Sequence, residues 1–177
     1  MPPIRAVFFD LDDTLCAYWD AAKAGLREAF AEVEVPGVTA EQMRSHWAAA
    51  YWDFCPCLKK LGWYDRYLVS GKVTRDELMR LALTKAGIDD PALAVRLGDA
   101  YGAARDRNLR LFPEALHVLE TLSAKVPLGL VTNGSADVQR QEIATCGIER
   151  FLGPDRIFIE GEQREGKPLR SVFERAR

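Results

Sequence analysis

The feature that most constrains the fold is a short apolar run over residues 4–9, rich in β-branched and aromatic side chains, that ends in acids at Asp10-Leu11-Asp12-Asp13-Thr14-Leu15. A strand buried on both faces reads this way, without alternation, and such strands belong to parallel sheets. A second run, Pro127-Leu128-Gly129-Leu130-Val131-Thr132, closes on Asn133-Gly134, and a third, Arg156-Ile157-Phe158-Ile159, closes on Glu160-Gly161. Helical patterns fall between them. Pro113 stands as the first helical position of 113–125. Ser135 or Asp137 can cap a helix that Gly147 stops, and Pro168 opens a last helix through residue 176. Strands alternating with helices predict an α/β fold: a three-layer, doubly wound, Rossmann-like parallel sheet.

Residues 16–108 break this rhythm, with helical signals and no strand. One helix is read over 19–31. Thr39-Ala40-Glu41-Gln42 is a capping box opening the next, and Thr74-Arg75-Asp76-Glu77 reads as another, leading to a helix that Gly87 ends. The fourth spans 91–107. The expected organisation is therefore a core domain made of 1–15 and 109–177, with a helical domain of 16–108 inserted directly after the first strand. Ligands of open α/β sheets bind at the carboxyl ends of the strands, so an insertion there is a candidate lid.

The chemistry-bearing residues sit at the same edge. Two carboxylates as close as Asp10 and Asp12 repel one another unless a cation joins them, and a hard divalent ion such as Mg²⁺ is the natural partner. One carboxylate can then attack a phosphoryl group while the other protonates the leaving oxygen. A calcium loop is the competing reading of D-x-D. It fails, because Leu15 occupies the position that needs Gly and Ala21 the position that needs Glu.

The loop Phe9-Asp10-Leu11-Asp12-Asp13-Thr14-Leu15 resembles the first motif of the haloacid dehalogenase (HAD) superfamily, in its phosphatase branch. Thr132-Asn133-Gly134 resembles the second motif, Lys167-Pro168 the lysine motif, and the helical insertion a C1-type cap. The resemblance implies Mg²⁺-dependent hydrolysis of a phosphate monoester of a small metabolite through an aspartyl-phosphate. It implies Asp10 as nucleophile and metal ligand, and Asp12 as general acid/base with its backbone carbonyl on the metal. It implies Thr132, Asn133 and Gly134 shaping the phosphate site, and Lys167 neutralising phosphoryl charge. A halide leaves unprotonated, so Asp12 favours an ester phosphatase over a 2-haloacid dehalogenase. Thr132-Asn133-Gly134 together with Gly161-Glu162-Gln163-Arg164-Glu165 looks similar to the branch containing N-acylneuraminate-9-phosphatase and some nucleotidases.

The family's fourth motif, a Gly-Asp pair after a fourth strand, has no counterpart in order. Gly98-Asp99 lies inside the helical pattern of 91–107 and is rejected. The expectation is a core incomplete at its C-terminus, lacking one metal-binding carboxylate. The strand over 4–9 would then be an exposed apolar edge open to self-association. The alternative function is thus a catalytically impaired fragment or a binding and assembly module.

The remaining signals exclude more than they add. Gly161 to Lys167 fits G-x-x-x-x-G-K, but Pro168 stands where a nucleotide loop needs Ser or Thr, and Glu162 and Glu165 would repel phosphates. Cys55-Pro56-Cys57 with two distant histidines cannot close a zinc site, so Cys16, Cys55, Cys57 and Cys146 are expected as free thiols. The aromatic cluster Trp47, Tyr51, Trp52, Phe54, Trp63, Tyr64 and Tyr67 reads mostly as interior of the helical insertion. A formal net charge of -2 gives no reason to expect nucleic acid or an anionic membrane. No apolar run approaches the ~20 residues of a membrane span. No secretory signal is read, and the reduced cytoplasm is the expected compartment.

Overall fold

The computed structural model describes residues 3–176 of the 177-residue chain. Its centre is a parallel sheet in the order β1-β2-β3, formed by β1 (Val7–Phe9), β2 (Leu128–Thr132) and β3 (Leu152–Ile159). Parallel pairing sets Val7 opposite Leu128 and Phe9 opposite Leu130 on one side of β2, with Thr132 opposite Ile159 on the other. Every residue of β2 is buried, which is why its sequence shows no alternation. Gly129 is required here: a Cβ would lie 2.3 Å from the ring of Phe8.

Two strand boundaries differ from expectation. β1 begins at Val7 rather than at residue 4, because its partner β2 begins at Leu128. The preceding Pro127 still accepts a bond from the Val7 amide (3.0 Å) but has no N–H to return. Ile4 is 73% exposed, whereas Val7–Phe9, which pairs only with β2 among the described residues, is half-buried rather than open. β3 starts earlier than the apolar run at 156–159, extending back to Leu152 after a short 3₁₀ turn, Ile148–Phe151.

The chain divides into two compact units, residues 1–19 with 109–177 and residues 20–108. The second holds α1 (Tyr18–Glu32, entered from the first unit), α2 (Ala40–Phe54), α3 (Tyr64–Val69), α4 (Gly71–Lys85) and α5 (Pro91–Asn108). The Thr39 capping box forms as read: Thr39 Oγ1 accepts from the Gln42 amide (3.2 Å), while Gln42 Oε1 accepts from the Thr39 amide (2.9 Å). The Thr74 box does not form. Ser70 is extended and α4 starts one residue later, so Thr74 lies inside the first turn with its hydroxyl donating to the Gly71 carbonyl (3.1 Å). The interior is apolar, centred on Met43, Ala50, Met79, Ala82, Leu83 and Leu97. Trp47 and Tyr101 pack into it, but Trp52 is 71% exposed and not interior.

The first unit also carries α6 (Pro113–Ser123), α7 (Ala136–Cys146), α8 (Glu160–Gln163) and α9 (Arg170–Arg175). Gly147 ends α7 in the left-handed conformation (φ +62°), as expected of a C-terminal glycine. Ser135 is the residue before α7, yet its side chain makes no cap bond. Pro168 does not open the last helix. Leu169 caps α9 instead, because Asn133 holds the preceding backbone on both sides of Lys167: the Lys167 amide donates to Asn133 Oδ1 (2.7 Å) and Asn133 Nδ2 donates to the Lys167 carbonyl (2.8 Å).

Candidate active site

Beyond Phe9 the chain turns tightly around the Leu11 carbonyl, which accepts from the amides of Thr14, Leu15 and Cys16 (2.9–3.3 Å). Asp13 takes the left-handed conformation (φ +52°) to make this turn, a geometry that aspartate tolerates better than most residues. Leu11 is buried beneath, so the turn presents Asp10 and Asp12 at the carboxyl end of β1.

Asp10 is half-exposed. Its Oδ1 accepts from the Leu11 amide at 2.8 Å and meets Lys167 Nζ at 2.5 Å. The ammonium is delivered from the loop after β3, whose course the Asn133 pair determines. A side chain at Gly166 would strike this loop's neighbours, its Cβ falling 2.7 Å from Asn133 Oδ1 and 2.6 Å from the Glu160 carboxyl carbon. Gly134 (φ +147°) carries the chain from β2 toward α7, and its carbonyl accepts from Gly161 (2.9 Å), tying the ends of β2 and β3 together.

Asp12 is half-buried. Burial holds its carboxyl above the usual carboxylate range. The negative charges of Asp10 and Asp13 act in the same direction, against hydrogen bonds that favour the ionised form. Asp12 Oδ2 accepts from Gln139 Nε2 at 3.1 Å. The same amide donates to Glu142 Oε2 at 2.8 Å, and its Oε1 accepts from the Thr132 hydroxyl at 2.6 Å. Thr132, Gln139 and Glu142 are all buried, Glu142 completely. Cys16 lies against this group, its Sγ 3.6 Å from the Leu11 carbonyl and 3.9 Å from Asp12 Oδ1. A hydrogen bond with Cys146 and burial push its thiol up. All four cysteines are free.

The structure thus brings Asp10 and Lys167 into contact and joins Thr132 to Asp12 through Gln139. Asn133 serves the Lys167 loop, and Gly134 links two strand ends. Sequence reading missed Gln139 and Glu142. Their signal was present: they share one face of α7 with Ile143, and two polar residues at helical spacing on an otherwise buried face call for partners. Among the described residues no group of three or more His, Cys, Asp or Glu side chains is placed to hold a metal. A centre of one or two carboxylate-bearing residues with water and substrate oxygens is how Mg²⁺ is usually bound, and the oxygen donors of Asp10 and Asp12 fit that ion.

A parallel sheet with an acid pair at the end of its first strand, a hydroxyl closing its second and a lysine beyond its third defines a class of hydrolase. The model of the haloacid dehalogenase-like hydrolases matches residues 4–177, and the chain belongs to that family. N-acylneuraminate-9-phosphatase of Rattus norvegicus is 30% identical over 175 residues, covering 96% of this chain and 66% of that protein. Phosphoserine phosphatase of Thermus thermophilus is 28% identical over 190 residues, covering 98% and 74%. The chain spans about two thirds of the length of the first of these relatives. A HAD-hydrolase of Bacillus subtilis, YfnB, crystallised with magnesium, superposes at a TM-score of 0.69 with 19% identity, over 98% of this chain and 71% of that one. The L-2-haloacid dehalogenase of Xanthobacter autotrophicus shares the fold as well (TM-score 0.61, 22% identity, 97% and 63% covered). At these identities the structural likeness speaks for the fold alone.

Proposed function

We propose that this chain carries the active site of a Mg²⁺-dependent phosphomonoesterase acting on a small phosphorylated metabolite through an aspartyl-phosphate. The observation that carries the reading is the ion pair of Asp10 with Lys167 (2.5 Å), beside a half-buried second acid, at the carboxyl ends of parallel strands. The phosphatase relatives support the reaction class, and the helical unit is proposed as the cap that selects the substrate.

In this reading an oxygen of Asp10 attacks phosphorus and the bond to the ester oxygen breaks. Asp12 gives its proton to the departing alkoxide, which is why a carboxyl that burial holds toward its protonated form is useful there. Water then attacks the phosphorus of the aspartyl-phosphate, Asp12 takes its proton, and inorganic phosphate leaves with Asp10 restored. Lys167 offsets phosphoryl charge, and Thr132, Asn133 and Gly134 shape the phosphate site. The Asp10 carboxylate and the Asp12 carbonyl would hold Mg²⁺, which supplies further positive charge when bound. Asp12 argues against dehalogenation, in which the leaving group needs no acid.

The test is hydrolysis of 4-nitrophenyl phosphate with Mg²⁺ and after chelation, comparing wild type with Asp10→Asn. Metal-dependent turnover abolished by the substitution is expected. Turnover that ignores Asp10, or none at all, would reject the enzyme reading in favour of a binding module.

A further inference from the structure

The buried network beneath the acid pair has a shape that the proposed reaction does not by itself require. Gln139 carries one acceptor and two donors on its amide, and all three are used. Its Oε1 accepts from Thr132 (2.6 Å), and its Nε2 donates to Asp12 (3.1 Å) and to Glu142 (2.8 Å). Thr132 ends β2, Asp12 follows β1, and Gln139 belongs to α7, so one amide ties the ends of two strands to a helix.

The anchoring is rigid. Gln139 is 3% exposed and Glu142 wholly buried. Gln139 stands one turn into α7, where its backbone N–H donates to the Ser135 carbonyl (3.1 Å). Its side chain lies so close to Gly134 that a Cβ there would sit 2.9 Å from Gln139 Cγ. A side chain fixed at both ends in this way loses little further freedom when it orients a neighbour.

We propose that Gln139, held by Glu142 and by the Thr132 hydroxyl it accepts from, is a positioning residue that fixes the Asp12 carboxyl in one arrangement, so that the acid faces the leaving oxygen of the phosphate ester. The inference rests on the phosphatase reading. It concerns orientation: Gln139 touches neither substrate nor metal.

The consequence is a dependence on the leaving group. A nitrophenolate departs with little protonation, whereas an alkoxide needs the acid. In Gln139→Met, which keeps the shape and removes the hydrogen bonds, kcat for an alkyl phosphate such as glycerol phosphate should fall ~100-fold, within the range that general acid catalysis supplies. For 4-nitrophenyl phosphate the fall should stay below ~10-fold on the same scale. The double variant Gln139→Met/Glu142→Leu, in which both partners become apolar, guards against a folding defect from a stranded carboxyl and should show the same split. Thermal unfolding checks that each variant folds.

An equal loss on both substrates, no loss, or failure of both variants to fold would make Gln139 merely structural and overturn the proposal, leaving the phosphatase reading intact. A wild-type chain that hydrolyses neither ester in an Asp10-dependent way would overturn the phosphatase reading and this proposal together.

Discussion

The two units of this chain treat polar side chains in opposite ways. In the helical unit, the buried polar side chains Thr74 and Arg105 bond near neighbours in sequence: the Thr74 hydroxyl donates to the Gly71 carbonyl (3.1 Å) and Arg105 pairs with Asp106 (2.7 Å). Its longer-range ion pairs lie toward the surface, such as Lys85 with Asp53 (2.7 Å) and Arg107 with Glu28 (3.0 Å). In the α/β unit the interior bonds connect distant segments instead. Asp12, Thr132, Gln139 and Glu142 meet from the turn after β1, the end of β2 and the middle of α7, while the half-exposed pair of Lys167 with Asp10 also joins segments far apart in the chain. Burying carboxyls costs stability unless they are paired or hydrogen-bonded. Several carboxyls kept together near the strand ends are what the proposed phosphatase chemistry would use.

That contrast can be broken by substitution. Lys167→Met should have the largest effect, lowering turnover of an aryl phosphate on the order of 10²–10³-fold, as loss of one preorganised electrostatic group does. A loss under threefold in steady-state kinetics would remove Lys167 from the site. Asp12→Asn tests the opposite property. The folded-state pKa of Asp12 is raised, mainly by burial, so the folded chain binds the proton more tightly than the unfolded one. Stability therefore declines as pH rises from the unfolded value through the folded one, and the full penalty applies above both. Asp12→Asn should accordingly have a higher Tm than wild type at pH 8 without Mg²⁺, with the gap closing below pH 4, while alkyl phosphatase activity is lost. A Tm gap that widens on acidification would contradict the burial argument. The smallest effect is expected of Lys85→Met in the helical unit. Its ion pair is partly solvated, so unfolding free energy should change by less than ~1 kcal/mol and 4-nitrophenyl phosphate turnover should not change. A larger shift in a denaturant titration would blur the distinction between the units.

The sequence showed the architecture more fully than the wiring. Strand and helix order, the capped start of α2 and the glycine that stops α7 were legible because each depends on local pattern. The start of β1 was not, since a strand's length depends on where its partner begins, and Pro127 ends the ladder there. Pro168 was misread for a similar reason: the helix it could have opened is delayed by Asn133, from a loop far away in the chain. Asp10, Asp12, Thr132 and Lys167 were picked out by motif, but no spacing rule places an ammonium against Asp10 Oδ1. The bonds of Gln139 escaped, because periodicity reports which face is buried and is silent on what a buried amide bonds to.

The central claim is that Asp10 becomes covalently phosphorylated, and peptide mass spectrometry after acid quenching tests it most directly. The chain would be mixed with Mg²⁺ and 4-nitrophenyl phosphate, quenched during turnover and digested. The account predicts one added phosphoryl group on the peptide containing Asp10, absent from Asp10→Asn. Turnover with no modified peptide, or with the phosphoryl group on another residue, would contradict it.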